Sequence, residues 1–292
     1  MASIPIKYYF EYYALRGVAV LVRSLPRRKA LSFGRAFGRM GMKILPGRYR
    51  LAKRNIELAL PELDPAEVEA VVAKSFESIG VGGVEMLRLD MFDHADFEQY
   101  FDAVGIDHLH EAMALNRGVV LLTGHLGFWE AGHFIMSELG IPTSAVAKPL
   151  KNPFSEKYVA DLRESFGTEM INSRKGARHI LKALQQNRAV VILLDQHISP
   201  PGSIPTTFFG RQAYTTTAIT TLAMKHQVPI VPMFCLRQKD DRYKVWAEPM
   251  VILDKDQSVA ENTQRLTTII ETAVRKDVNQ WFWVHKRWRV KK

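Results

Sequence analysis

From about residue 117 onward the chain alternates short apolar runs with longer stretches in which apolar residues recur at helical spacing. The runs at 118–123 (GVVLLT), 143–147, 169–172, 189–194 (AVVILL) and 230–236 predict strands, and 243–247 predicts one more. Stretches at about 128–139, 153–166, 176–187, 215–227 and 258–277 predict helices, and the Pro/Gly-rich segment 199–210 reads as a loop. Apolar strands separated by helices of roughly 10–15 residues form βαβ units, which implies a largely parallel sheet buried on both faces. The first 90 residues read as helical instead. Within them Leu60-Pro61-Glu62-Leu63-Asp64-Pro65 marks a turn, with Asp64 placed to cap a helix that Pro65 opens. The expected fold is α/β, a largely parallel central sheet flanked by helices. A helical segment over 1–90 precedes the α/β part over 91–292, the two forming one continuous globular unit.

Charge divides the chain differently. Residues 1–60 carry 13 Lys/Arg against Glu11 and Glu57, a net +11, and residues 281–292 add +5 with no acid. The overall charge is +10, so the middle is −6. Two basic ends around an acidic middle suit an anionic membrane, a nucleic acid or an acidic protein partner. At 47% hydrophobic and 24% charged, the composition excludes a disordered or collagen-like chain. Cys235 is the only cysteine, which excludes an internal disulfide and a Cys-based zinc site.

The first 25 residues are apolar and aromatic, but Lys7, Glu11, Arg16 and Arg23 interrupt them. No uncharged run there exceeds six residues, far short of the roughly 20 that a spanning helix needs. Arg16 and Arg23 share a helix face, and Tyr8, Tyr9, Tyr12 and Tyr13 cluster, which suits a helix lying at a bilayer surface. A core helix with its arginines in water fits the same residues. The C-terminal run QWFWVHKRWRVKK sets Trp281, Trp283 and Trp288 among five cations. That suits a headgroup layer, a single-stranded nucleic acid, or a last element with buried tryptophans and a basic edge.

In parallel sheets, chemistry gathers where strands end. Two such ends stand out: Thr123-Gly124-His125-Leu126-Gly127-Phe128-Trp129-Glu130, and Leu194-Asp195-Gln196-His197. A histidine followed five residues later by an acid occurs twice, at His125/Glu130 and His133/Glu138, against about one expected from nine histidines and 30 acids in 292 residues. Inside a continuous helix, His133 and Glu138 would lie ~140° apart and not meet. His125 leaves a buried strand between Gly124 and Gly127, and Glu130 opens the next helix, from which it can fold back to the imidazole. A carboxylate-oriented histidine is a general base; a satisfied histidine at a strand end is the simpler reading. The chain lacks a Gly-x-Ser-x-Gly elbow, a Walker loop and a Gly-x-Gly-x-x-Gly fingerprint. Cys235 lies in an apolar strand, and His108-Leu-His110 has no companion ligand, so no metal site is expected. Without a covalent nucleophile, His125 would activate a substrate hydroxyl directly.

GHLGFWE resembles the His-x4-Asp/Glu block of the lysophospholipid acyltransferase superfamily. The whole chain resembles the late acyltransferases of bacterial lipid A biosynthesis, the lauroyl/myristoyl transferase group. The resemblance runs through RNIELALPE (54–62), KPLKNP (148–153), 191–196, Phe208-Phe209-Gly210 and QWFWVHKRW (280–288). It implies a glycerol-3-phosphate acyltransferase-like fold and an O-acyl transfer from a thioester donor, acyl carrier protein. The acceptor would be a hydroxyl of a membrane-embedded glycolipid, the lipid A precursor. His125 would be the base and Glu130 its partner, with no cofactor and no covalent acyl-enzyme. The expected place is the cytoplasmic face of the bacterial inner membrane, an anionic surface reached through the N-terminal helix. Arg163, Arg174 and Lys148 are candidate ligands of a lipid phosphate. Asp195 would orient an arginine or cap a loop, and Gly127 is counted with the substrate-binding residues. Two departures are visible. Charges break the N-terminal anchor, and His197 stands where the family often has another acid after Asp-Gln. An acyltransferase for an aminolipid or glycophospholipid, with acyl-CoA as donor, fits the same residues. A nucleic-acid binder leaves the His125 strand end unexplained.

Overall fold

The computed structural model describes residues 4–173 and 176–289. Four helices come first: α1 (Ile6–Ser24), α2 (Arg27–Ile44), α3 (Pro46–Ala59) and α4 (Pro65–Met86). Asp64 caps α4 as its sequence predicts. Its side chain accepts from Glu67 N, and the Glu67 side chain reciprocates to Asp64 N. A short helix α5 (His94–Tyr100) leads into strand β1 (Phe101–Val104) and helix α6 (Asp107–Ala114). The predicted alternation follows as β2 (Val119–Thr123), α7 (Gly132–Glu138), β3 (Thr143–Ala147), α8 (Pro153–Glu164), β4 (Glu169–Asn172), α9 (Gly176–Gln185) and β5 (Ala189–Leu193). A hairpin of β6 (Ser203–Phe208) and β7 (Arg211–Thr216) precedes α10 (Ala218–His226), β8 (Ile230–Arg237), β9 (Tyr243–Ala247) and α11 (Val259–Lys276).

The main sheet has seven strands in the order β1-β9-β8-β2-β5-β3-β4. All neighbours are parallel except β8 and β9. Successive side chains of a strand point to opposite faces, and the core divides accordingly. Val120, Leu122, Val190 and Ile192 pack with α9, α10 and α11 and with residues of α3 and α4. Val119, Leu121, Ala189 and Val191 pack with α6 and α7 on the other face. Thus the helical front end and the sheet share one core. At the centre, Thr123 pairs with Leu193, and the chain then leaves β2 and β5 towards opposite faces of the sheet, through α7 and α10. That divergence opens a crevice at the carboxyl ends of β2 and β5.

One expectation changes, and one open choice is decided. The segment 199–210 contains a strand of the β6–β7 hairpin, which pairs in register from Ser203↔Thr216 to Phe208↔Arg211. The C-terminal tryptophans belong to the core. Trp281 and Trp283 are fully buried and lie edge to face, 4.6 Å apart, so a headgroup layer or bases cannot reach them.

The front end is fixed to the sheet by buried polar contacts. Glu85 of α4 accepts from Arg237 and Tyr243, while Arg27 of α2 donates to Tyr243 Oη at 2.8 Å. Arg23, expected to face outward with Arg16, turns inward to Asp90 and donates to Leu87 O. Asn152 caps α8 and donates to Tyr8 O, docking α1. The remaining surface of α1 still exposes Ile6, Tyr9, Phe10, Tyr13, Val20 and Leu21, and α2 exposes Phe37, Met40 and Ile44. Among the described residues, no helix is long and apolar enough to cross a membrane.

Helices α2 and α4 touch backbone to backbone. A Cβ on Gly80 would lie 2.2 Å from Gly34 O, and one on Gly38 2.1 Å from Phe76 O. Gly80→Ala is therefore expected to cost about 1–3 kcal/mol of stability. Gly82→Ala, where an added methyl meets no atom within 4 Å, is expected to gain about 0.5–1 kcal/mol. Denaturant unfolding of the two variants checks this; shifts of the same sign would contradict it.

Candidate functional site

The Thr123↔Leu193 register puts His125 and Asp195 each two residues beyond paired strand ends. They meet there. His125 Nδ1 lies 2.8 Å from Asp195 Oδ1, and His125 N donates to Asp195 Oδ2 at 2.8 Å. Trp281 Nε1 donates to the same Oδ2 at 2.8 Å. Burial alone would raise the Asp195 carboxyl, but the adjacent His125 and these donors lower it to about 2. An ionised carboxylate only accepts, so Nδ1 carries a ring proton, and in the neutral imidazole Nε2 then holds the lone pair. Trp129 and Phe282 flank the ring, with centroids 5.2 and 5.9 Å away.

Glu130 does not take the place expected of it beside the imidazole. Phe128 leads into a short 3-10 turn, Trp129–Ala131, which ends in α7 and carries Glu130 towards α8. There its carboxylate accepts both Nε, at 2.9 Å, and Nη2 of Arg163, and it lies 3.3 Å from His133 Nε2. Burial opposes this charge, but the bonds from His133 and Arg163 prevail and hold the carboxyl far below its usual range. His133 Nδ1 in turn meets Thr168 Oγ1 at 3.0 Å. The His-x4-Glu spacing thus joins two neighbouring networks: His125 with Asp195, and Glu130 with Arg163 and His133.

The other expected residues separate. The Arg163 guanidinium gives its Nε and Nη2 donors to Glu130. Asp195 orients the histidine and no arginine. Gly127 sits at φ +60, and a Cβ there would lie 2.1 Å from Cys235 O; its N–H is donated to Gln280 O at 3.0 Å. It holds the His125 loop against β8 and the C-terminal segment, and offers no donor to a ligand. Lys148 is exposed on the loop after β3. Arg174 lies outside the described residues.

A strap formed by residues 280–287 closes the site. Phe282 N donates to His125 O at 3.0 Å. The front end holds the strap from behind: Asn55 donates to Trp283 O and His285 O, both at 2.7 Å, Ser75 to Trp281 O and Arg48 to Val284 O. Nothing in the sequence links Asn55 to the site, since the contact spans some 230 residues. Two further residues come from the strap. His285 Nε2 accepts from His197 N at 3.0 Å, and burial lowers its imidazole to about 4. Arg287, fully buried, donates to Gln196 O, Tyr214 O and Thr215 Oγ1. Gln196, next to Asp195, puts its Nε2 3.1 Å from His125 Nε2.

An apolar cavity of about 790 Å³ lies between α1, α2, α4 and the strap. Leu15, Val18, Phe33, Phe76, Ile79 and Val84 line it, and Phe282 and His285 carry the lining to the site. Phe37 and Leu45 also line it and are about half exposed, so the cavity opens on the apolar surface of α2. Its size falls in the roughly 300–1,000 Å³ range of ligand pockets, and its walls suit a long hydrocarbon. Phe282, which flanks the oriented imidazole, also lines this cavity. Cys235 adds no nucleophile, because burial pushes its thiol well above its ordinary value.

Comparison with known proteins identifies the family. The chain is 26% identical to the lipid A biosynthesis lauroyltransferase of Escherichia coli (strain K12) over 279 residues, 94% of this chain and 90% of that one. It is 27% identical to the lipid A biosynthesis palmitoleoyltransferase of the same strain over 290 residues, 98% and 92% of the two chains. Phosphatidylinositol mannoside acyltransferase of Mycobacterium tuberculosis (strain CDC 1551 / Oshkosh) is 30% identical over 225 residues, 73% and 69% of the two chains. The family of bacterial lipid A biosynthesis acyltransferases matches residues 3–290. With that match over nearly its whole length, the chain belongs to the bacterial lipid A biosynthesis acyltransferase family and is an acyltransferase.

Proposed function

We propose that this acyltransferase moves a fatty acyl chain from acyl carrier protein to a hydroxyl of a lipid A precursor at the cytoplasmic face of the inner membrane. The observation that carries the reading is His125, anchored through Nδ1 by Asp195 and flanked by Phe282, which also lines the apolar cavity. The acyl chain occupies the cavity, with the thioester carbonyl near the imidazole. His125 Nε2 takes the proton of the acceptor hydroxyl as its oxygen bonds the carbonyl carbon. The tetrahedral adduct then collapses, the C–S bond breaks, and His125 returns the proton to the departing sulfur. Asp195 supports the imidazolium formed on the way. In this scheme Glu130 is a positioning residue: with Arg163 it fixes the turn that follows His125.

The setting matches a membrane surface. Exposed Tyr9, Phe10 and Tyr13 on α1, with Phe37 and Met40 on α2, lie on the segment of net charge +11, a pairing that favours an anionic bilayer interface. Lys148 and Arg174 remain the cations proposed to meet acceptor phosphates. The 30% identity to a phosphatidylinositol mannoside acyltransferase favours one second reading, transfer to another membrane glycolipid. Mass spectrometry of products from a panel of acceptors separates the two.

With acyl carrier protein and a labelled chain, His125→Ala is expected to lower transfer by about 10²–10⁴-fold, and Asp195→Asn by a comparable factor with the fold retained. Glu130→Gln acts first on stability, costing about 3–5 kcal/mol as Arg163 loses its partner. Full turnover by Asp195→Asn would remove the proposed orientation of the base.

His285 makes the protein sensitive to acid. Its imidazole has an ordinary value of 6.5 and titrates at about 4 when folded, so between these values the unfolded chain binds the extra proton. Its contribution is fully present above pH 6.5 and is lost as pH falls towards 4, a change of about 2–3 kcal/mol. Denaturant unfolding at pH 4.5 and 7 should show wild type weakened at the lower pH and His285→Gln weakened less. Identical pH dependence in both would refute this assignment.

A further inference from the structure

The one lone pair that the proposed reaction needs is already occupied. With its Nδ1 proton given to Asp195, His125 can accept only through Nε2, and Gln196 Nε2 lies 3.1 Å from it. An amide nitrogen donates and does not accept, so the carboxamide and an acceptor hydroxyl compete for the same position. We infer that the Gln196 carboxamide is a resting-state plug, holding the place that the acceptor hydroxyl takes during transfer and keeping water from the base. The inference rests on the reading of His125 as general base.

The backbone around Gln196 is fixed, so only its side chain has to move. Asp195 before it is held by three N–H donors. Gln196 O accepts from Arg287 at 3.3 Å, and His197 N after it donates to His285 at 3.0 Å. Rotation of the side chain vacates Nε2 for the loss of one neutral hydrogen bond, equivalent to a factor of about 2–10 in occupancy. A hydroxyl presented by a bound lipid can displace such a plug, while a diffusing water competes with a tethered donor. The distinction matters because water is chemically competent at this site. It can give its proton to Nε2, bond the thioester carbon through its oxygen and expel the sulfur, which takes the proton, so that the acyl group is wasted.

The test uses full-length protein and three variants: Gln196→Leu, which keeps the bulk without a donor; Gln196→Asn, which withdraws the amide by one methylene; and Gln196→Ala. Diethyl pyrocarbonate reacts at an unprotonated imidazole nitrogen, so peptide mass spectrometry of His125 against exposed His226 reads access to Nε2 without any substrate. Labelling of His125 is expected to rise about 2–10-fold in the variants with unchanged melting temperature. Hydrolysis of acyl carrier protein thioester without acceptor should rise with it. Labelling equal to wild type overturns the plug, and faster labelling with unchanged hydrolysis overturns its shielding role. If His125 is not the base, His125→Ala keeps its transfer activity whatever the labelling shows, so the two failures are distinguishable.

Discussion

A buried carboxylate must find hydrogen-bond donors, and the Asp195 carboxylate finds three on two different segments. His125 gives its backbone N–H and its ring N–H, and Trp281 gives its indole N–H. One side chain thereby ties the end of β5 to the loop after β2 and to the C-terminal strap. It also selects the tautomer of the imidazole. Fold closure and the tautomer of the neutral imidazole are two results of the same three bonds.

The front end completes this arrangement from the other side of the strap. Asn55, Ser75 and Arg48 bind the strap's carbonyls, so α3 and α4 are part of the site although they hold no reacting atom. The close-contact glycines Gly38 and Gly80 of α2 and α4 line the apolar cavity together with bulkier residues such as Phe33, Phe76 and Ile79. The basic, aromatic N-terminal region is thus at once a surface that exposes apolar side chains and the wall of the channel leading inward. That dual use accounts for its amphipathic but charge-broken sequence.

Much of this was legible in the sequence. The sequence runs marked β2, β3, β4, β5, β8 and β9 almost to the residue; for the central β2 and β5 this is because a parallel strand buried on both faces is apolar throughout. Short β1 was not seen, and the β6–β7 hairpin was hidden by the prolines and glycines around it. The two strand ends that matter were also visible, His125 after one and Asp195 after the other. What sequence spacing could not supply was the register. Glu130 stands at the motif distance from His125, whereas Asp195 is 70 residues away, and only the pairing of Thr123 with Leu193 brings it to the ring. The tryptophans were left open for a related reason: their flanking cations fitted a headgroup layer as well as a buried last element, and the role of buried Trp281 as a donor to Asp195 is one that no local pattern encodes.

The central claim is that Asp195 fixes His125 with its proton on Nδ1 and its lone pair on Nε2. Nitrogen-15 NMR of protein labelled in its histidines reads this directly at neutral pH, with His125→Ala used to assign the resonances. The account predicts a protonated Nδ1 and an unprotonated Nε2 for His125, with that tautomer lost in Asp195→Asn. A proton on Nε2 in the wild-type protein, or a tautomer indifferent to Asp195→Asn, would contradict it.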